Sequence, residues 1–447
     1  MITTFARRLV LSLLVLSLVA ASCAEDDELG GEVTLDDIGA DAAIPLIDLS
    51  EFAVRGDLAV PEGHVVLDIL NTGNAPHNLS LANGPKTADL NTGEGTFLDL
   101  GELSPGNYEL FCDIPGHRES GMTTMLEVVS TANAGAMTIS TERSDEPDWA
   151  HLDAAMIDSI KAFPAETEGL GNIPLEPTIL DDGTKVFDLT VAITPWEVEP
   201  GKIVDAWTYN GMVPGPEIRV EVGDNVRVNV QNDLPLGTDI HWHGIRTPNN
   251  QDGVAPITQD LIETGDSYVY EFVAERASLG MYHAHHHGQM AIPNGLFGVF
   301  TVGDISIPRG QNINGTIIPE DLVIAHEIPM VLNDAGVIGY SLNGKSFPAT
   351  EPYVVASNDW ITVTYYNEGL QIHPMHLHQF PQLVIAKDGF PLDNPYYADT
   401  VNVAPGERYT VLINADTVGT WVWHCHILTH VERDEGMFGM VTAMIVA

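Results

Sequence analysis

The alternation of apolar and polar positions marks most of this chain as strand. Val65-Val66-Leu67-Asp68-Ile69-Leu70 is a β-rich run closed by the turn residues Asn71-Thr72-Gly73-Asn74. Tyr108-Glu109-Leu110-Phe111 alternates with a period of two. Ile218-Arg219-Val220-Glu221-Val222 and Val226-Arg227-Val228-Asn229-Val230 do the same, and predict a pair of neighbouring strands across Gly223-Asp224. Thr420-Trp421-Val422-Trp423, β-branched and aromatic, predicts a buried strand. Helical spacing appears in Trp149, Leu152, Met156 and Ile160, which predict a short amphipathic helix before Pro164 with that stripe packed on a neighbour. Tyr340-Ser341-Leu342-Asn343-Gly344 echoes Tyr209-Asn210-Gly211, a weak internal repeat that predicts duplicated domains.

These runs predict an all-β chain of three tandem sandwiches over residues 45–133, 176–305 and 312–447, with 134–175 as a linker that carries the helix. Residues 1–23 read as an export signal. Arg7-Arg8 precede a short apolar run from Leu9 to Ala20, and Ala20-Ala21-Ser22-Cys23 closes it in the manner of a bacterial lipobox. Cys23 is then the expected lipidation site, residues 24–44 an acidic tether, and the protein an exported one, at the cell surface or in the periplasm, that meets a membrane only through its lipid. Charge narrows the partners further. With 18 Lys plus Arg against 63 Asp plus Glu the net charge is -45, so nucleic acid would be repelled. Cys112 and Cys425, the cysteines besides Cys23, both stand among metal-ligating residues, so no disulfide is expected.

The candidate chemistry centres on His424-Cys425-His426. Side chains on a strand alternate between faces, so Cys425 points one way and both histidines the other. A thiolate from Cys425, imidazoles from His373 and His430, and a thioether from Met437 form the donor set of a blue copper site; Met440 is the second choice for the thioether. The N-terminal sandwich offers the same set in Cys112, His117 and Met122, with His77 on an earlier strand. Two further motifs, His241-Trp242-His243 and His283-Ala284-His285, join His376, His378, His424 and His426 to give eight imidazoles. That number suits a cluster of copper ions at two or three ligands each. The middle sandwich has no cysteine, so no blue copper is expected there. His286 and His287 read as solvent-facing or supporting groups, and His64, His151 and His326 as ordinary structural or surface residues.

Residues 176–447 resemble the multicopper oxidase family. The resemblance is carried by Tyr209-Asn210-Gly211 with Pro214-Gly215-Pro216, His241-Trp242-His243-Gly244, Tyr282-His283-Ala284-His285, His373-Pro374-Met375-His376-Leu377-His378 and His424-Cys425-His426. Pro76-His77-Asn78 and the stretch from Leu103 to Met122 are similar to the blue copper proteins of the cupredoxin family. The resemblance implies cupredoxin-like Greek-key sandwiches. It also implies a type 2 copper on His241 and His376, and a type 3 pair on His243, His283, His285, His378, His424 and His426. With two type 1 ions this makes about five coppers per chain. The implied reaction couples one-electron oxidation of a donor (a phenolic or aromatic compound, a metal ion or a redox protein) to four-electron reduction of dioxygen to water. Asp252 matches the acidic residue that members use to relay protons. Two-domain members build the cluster between neighbouring subunits, which implies a homotrimer. Two features depart from the family: a longer gap between His430 and Met437, and the added N-terminal copper domain. The alternatives are a copper nitrite reductase, which needs one blue copper and one three-histidine copper, and a non-catalytic electron carrier.

Overall fold

A computed structural model describes residues 44–50, 53–56, 58–73, 75–114, 117–118, 122–130 and 149–447. The predicted export signal, Cys23 and nearly all of the tether lie outside the described residues. The chain divides into two compact units: the N-terminal sandwich forms most of one, and the two C-terminal sandwiches share the other.

In the N-terminal sandwich, one sheet runs Ala53–Gly56, Leu46–Ser50, Gly63–Asn71, Gly95–Leu103, and the other runs Ala59–Pro61, Thr123–Val129, Gly106–Phe111, Ser80–Leu81. In the middle sandwich, Lys202–Tyr209, Lys185–Glu199, Asn225–Asn232 and Ser267–Val273 face a sheet of Gly215–Val220, Phe297–Val302, Ser278–His283 and His241–His243. The last sandwich pairs a six-stranded sheet centred on Trp360–Asn367 with a five-stranded one holding His373–Leu377 and Gly419–Cys425. Alternating inward positions build each core, with Trp242 and Trp423 among the largest fully buried side chains.

One expectation fails here. The two runs on either side of Gly223-Asp224 do not pair: Gly215–Val220 joins Phe297–Val302, whereas Asn225–Asn232 joins Lys185–Glu199 in the opposite sheet. Period-two alternation says which face of a strand is buried, but either layer of a sandwich satisfies it. The turn arches between layers, with Asp224 accepting the Glu221 amide at 2.7 Å.

Three buried asparagines show that the sandwiches are built on one plan. Asn71, Asn232 and Asn367 each end a strand, fully buried, just ahead of a histidine-bearing segment. The Asn71 carboxamide donates to the Ala75 and Leu90 carbonyls at 2.8 and 2.7 Å and accepts from the Gly73 amide. Asn232 repeats this with Leu236, Ile262 and Leu234, and Asn367 with Gln371, Val403 and Gly369. Each therefore satisfies loop backbone that burial would otherwise leave without partners. The predicted repeat holds as well. Asn210 accepts from the Thr190 amide and donates to the Asp188 carbonyl, and Asn343 does the same with Val331 and Pro329.

The linker helix forms at Trp149–Lys161. Its covered face is not the predicted stripe. Leu152, Ala155, Met156 and Ser159 are half-buried, whereas Trp149 and Ile160 are exposed. The helix lies on a hairpin of the last sandwich, which reaches only a narrow face of it. Beyond it, Phe163 stacks on Phe347, and the Lys345 ammonium donates to the Glu168 and Glu197 carbonyls while lying over the Trp196 ring. These contacts tie the linker to both core sandwiches.

Candidate metal centres

Cys425 ends the strand Gly419–Cys425, and Met375, on the neighbouring strand His373–Leu377, is its register partner. His373 opens that neighbouring strand, and His430 closes the short turn after Cys425. The Sγ atom lies 3.8 Å from His373 Nδ1 and 3.5 Å from His430 Nδ1, and all three residues are buried. Burial pushes the Cys425 thiol up to about 12 and the His430 imidazole down to about 4. The His430 imidazole thus offers a lone pair at neutral pH, and a bound cation would draw the proton from the Cys425 sulfur. The far nitrogen of His373, Nε2, meets the buried Asp334 carboxylate at 2.8 Å. Burial alone would raise that carboxyl, but the His373 ring and the Leu370 and Gln371 amides hold it below the usual range. The Tyr340 ring stacks on His430 at 4.3 Å. Met437 is half-buried against the same core; Met440 is fully buried, its carbonyl accepting from the Cys425 amide.

A second trio, His77, Cys112 and His117, brings its donor atoms within 4.8 Å of one another. Cys112 directly follows the strand Gly106–Phe111. The Asn78 amide points at its sulfur at 3.5 Å, and the Asn78 carboxamide accepts from the Asp113 amide, which binds the His77 loop to the cysteine. Met122 is buried, and its amide donates to the His117 carbonyl at 2.9 Å.

Eight further histidines form two matching sets of four. In the middle sandwich His241 is the register partner of His283; in the last, His376 is the partner of His424. His241 Nδ1 meets the Asp252 carbonyl at 2.9 Å, and His376 Nδ1 meets the Asp399 carbonyl at 3.1 Å. His283 Nδ1 meets the Ala284 carbonyl, and His424 Nδ1 the Cys425 carbonyl. Ala284 therefore occupies the position that Cys425 holds in the last sandwich. His243 and His283 approach at 3.3 Å, as do His378 and His424. Burial and the neighbouring rings hold His283 at about 3, and they also lower His378 and His424. Burial, with the charge of Arg408, holds His243 at about 4. Among the described residues, ring contacts join the members of each set and none crosses between them. His287 turns into the left-handed region at φ 53° ahead of the short helix Gly288–Ala291, and its ring meets that of His286 edge-on.

Two family models, each described as multicopper oxidase, match residues 190–306 and 323–445. A solved multicopper oxidase, mgLAC, is 35% identical, with a TM-score of 0.53 over 58% of this chain and 86% of that one. The chain belongs to the multicopper oxidase family. The blue copper oxidase of Nitrosomonas europaea is similar at 33% identity and TM-score 0.53, covering 58% of this chain and 85% of that one. Laccase-2 of Botryotinia fuckeliana is 30% identical over 49% of this chain and 41% of its own length. Dihydrogeodin oxidase of Aspergillus terreus is 30% identical over 56% of this chain and 46% of its own. The chain thus spans less than half the length of these two curated relatives. Both family models begin beyond the N-terminal sandwich.

In this multicopper oxidase the sequence motifs supply the ring and sulfur donors but miss the acids that orient them. Asp399, the counterpart of Asp252, places its carboxylate 3.3 Å from His376. Asp239, fully buried, accepts the amides of Ala255, His285 and His286, so one carboxylate ties both middle-sandwich motifs together. Glu368 lines a cavity of about 330 Å³ with His241, His243, His283 and His285. Its Oε1 has no hydrogen-bond partner, and burial raises the carboxyl to about 8. Asp334→Asn tests the most direct of these supports. Loss of a charged partner behind a ligating imidazole is expected to lower copper affinity at this centre about tenfold to a hundredfold. Competition against a chelator measures it, and an unchanged affinity would remove Asp334 from the site.

Proposed function

We propose that this protein is a copper oxidase that takes single electrons from a donor and passes them to dioxygen, in the manner of a laccase. The observation that carries the reading is the pair of matching four-histidine sets, one of which flanks Cys425 on the strand. Copper bound at these positions supplies the one-electron storage that lets dioxygen be reduced to water without release of partly reduced oxygen.

The chain's own residues do the rest. Cys425, His373 and His430, with the Met437 thioether, would hold a type 1 ion; His77, Cys112, His117 and Met122 would hold the second. His241 and His376, each with Nδ1 tied to a backbone carbonyl, would hold the type 2 ion through Nε2. His243, His283, His285, His378, His424 and His426 serve the type 3 pair. The peptide bonds on either side of Cys425 give electrons a short covalent route to His424 and His426. Asp252, beside His241, serves as a proton relay, and Glu368 holds a proton in the cavity lined by the middle set. A nitrite-reducing site needs only three of these imidazoles and leaves the others without a role.

Within one chain the two sets remain apart, and each contributes half of a cluster. The reading therefore includes assembly between copies, as a homotrimer in which the middle set of one subunit meets the last set of the next. The donor is a phenolic or aromatic compound, a metal ion or a redox protein, and the Cys112 centre is the natural first acceptor for a protein donor.

Copper analysis with optical and paramagnetic spectra, light scattering and an oxygen electrode test the reading together. The expected result is about five coppers per chain, trimeric mass, and dioxygen consumption on addition of a reductant. Isolated mononuclear copper in a monomer that leaves dioxygen untouched would overturn it.

A further inference from the structure

The linker helix bears on the Cys425 centre in a way that its sequence stripe does not suggest. The gap from His430 to Met437 is long for the family, and the extra residues form a hairpin in which Glu432 pairs with Met437 and Arg433 with Gly436. The helix Trp149–Lys161 lies on this hairpin. The Met437 amide donates to Ser159 Oγ at 2.9 Å, and the same hydroxyl donates to the Met156 carbonyl at 2.9 Å, so both of its roles are used. Gly436 allows the approach: it sits at φ +104°, and a Cβ there would lie 2.4 Å from the Ala155 carbonyl and 2.5 Å from Ser159 Oγ. The opposite side of the helix is open, with Ile157 50% exposed. The face presented to the hairpin is thus the one that seats the helix.

We propose that Ser159 is a positioning residue for the type 1 centre, holding the backbone of Met437 so that its thioether stands at a set distance from the metal. The proposal rests on Met437 being the axial ligand. The axial bond of such a centre is long and weak, and it tunes the potential. A shift of the Met437 backbone is therefore read out by the metal before any strong ligand moves. The helix is also the segment through which the N-terminal sandwich is joined to the catalytic unit, so this clamp lies on the chain's own connection between its two copper-bearing parts.

Four variants of the full chain test this: Ser159→Ala, Ser159→Thr, Gly436→Ala and Met437→Leu. Alanine favours the helix, so Ser159→Ala keeps it folded. In the copper-free chain, amide exchange at Met437 is expected to quicken roughly fivefold in Ser159→Ala, the loss of one hydrogen bond. In the copper-loaded chain, the absorption, paramagnetic spectrum and potential of the Cys425 centre are expected to shift in Ser159→Ala and Gly436→Ala. The direction should be that of Met437→Leu, by a smaller amount, and Ser159→Thr should restore the original values. If Met437→Leu shifts the centre and Ser159→Ala leaves it as it was, the positioning role is overturned. If Met437→Leu itself changes nothing, the ligand assignment falls first and the role falls with it.

Discussion

Cys425→Ser is expected to abolish the blue absorption of the C-terminal centre, leave that of the Cys112 centre in place, and cut dioxygen consumption more than a hundredfold. The reason lies in the donor set. Cys425 Sγ, once a bound cation draws off its proton, is the one anionic, polarisable donor between the two imidazoles, and serine offers a hard hydroxyl that keeps its proton. Substituting even a group behind a ligand costs about tenfold to a hundredfold, so loss of the ligand itself exceeds that. The fold should survive, because the site is walled by Met375, Trp423 and other core residues and the substitution is nearly isosteric. The oxygen electrode and the visible spectrum measure the two parts separately. Oxygen consumption that survives the loss of this absorption would show that electrons reach the cluster by a route other than Cys425. The matching Cys112→Ser variant is expected to slow turnover only when a protein serves as donor.

Glu368→Gln carries the second large effect, and it is read through stability. Burial raises the folded carboxyl to about 8 from an ordinary value of 4.5, against a smaller opposing pull from Arg408. Below pH 4.5 both the folded and unfolded chains are protonated, and this group gives no pH dependence. Between 4.5 and about 8 the unfolded chain has released the proton while the folded chain still holds it, so stability falls as pH rises through that window. The loss is on the order of 5 kcal/mol at most, at about 1.4 kcal/mol per pH unit. Glutamine keeps the shape and removes the titration. The denaturation midpoint of the copper-free Glu368→Gln chain should therefore drop less between pH 5 and pH 8 than that of the unsubstituted chain. Equal drops in both chains would show that Glu368 titrates normally. The same variant removes a proton held beside the His241–His285 cavity, and dioxygen consumption is expected to fall about a hundredfold.

The candidate ligands were legible because they come from local motifs. His424 and Cys425 close the strand Gly419–Cys425 with His426 directly after it, so the alternation predicted from sequence separates the thiol from the two rings. The pairs 241/243, 283/285 and 376/378 share the same spacing of two, although His285 and His378 stand just past the ends of their strands. Asp334 was not legible, because it meets His373 from 39 positions away, on a strand whose sequence carries no sign of it. Asp399 could have been found by its place one residue ahead of the strand Thr400–Val403, where it mirrors Asp252. The buried asparagines could have been found as well: each ends an alternating run, as Asn71-Thr72-Gly73, Asn232-Asp233-Leu234 and Asn367-Glu368-Gly369.

Periodicity and short-range spacing were thus enough to predict strands, a repeated sandwich and the histidine and cysteine motifs of the proposed centres. Each of those properties depends on residues a few positions apart. Which layer a strand joins, which face of the linker helix is covered, and which carboxylates stand behind the metal-facing rings were settled only by folding. Those outcomes depend on groups brought together from distant parts of the chain, where burial and unmet hydrogen bonds, rather than local pattern, decide what pairs with what.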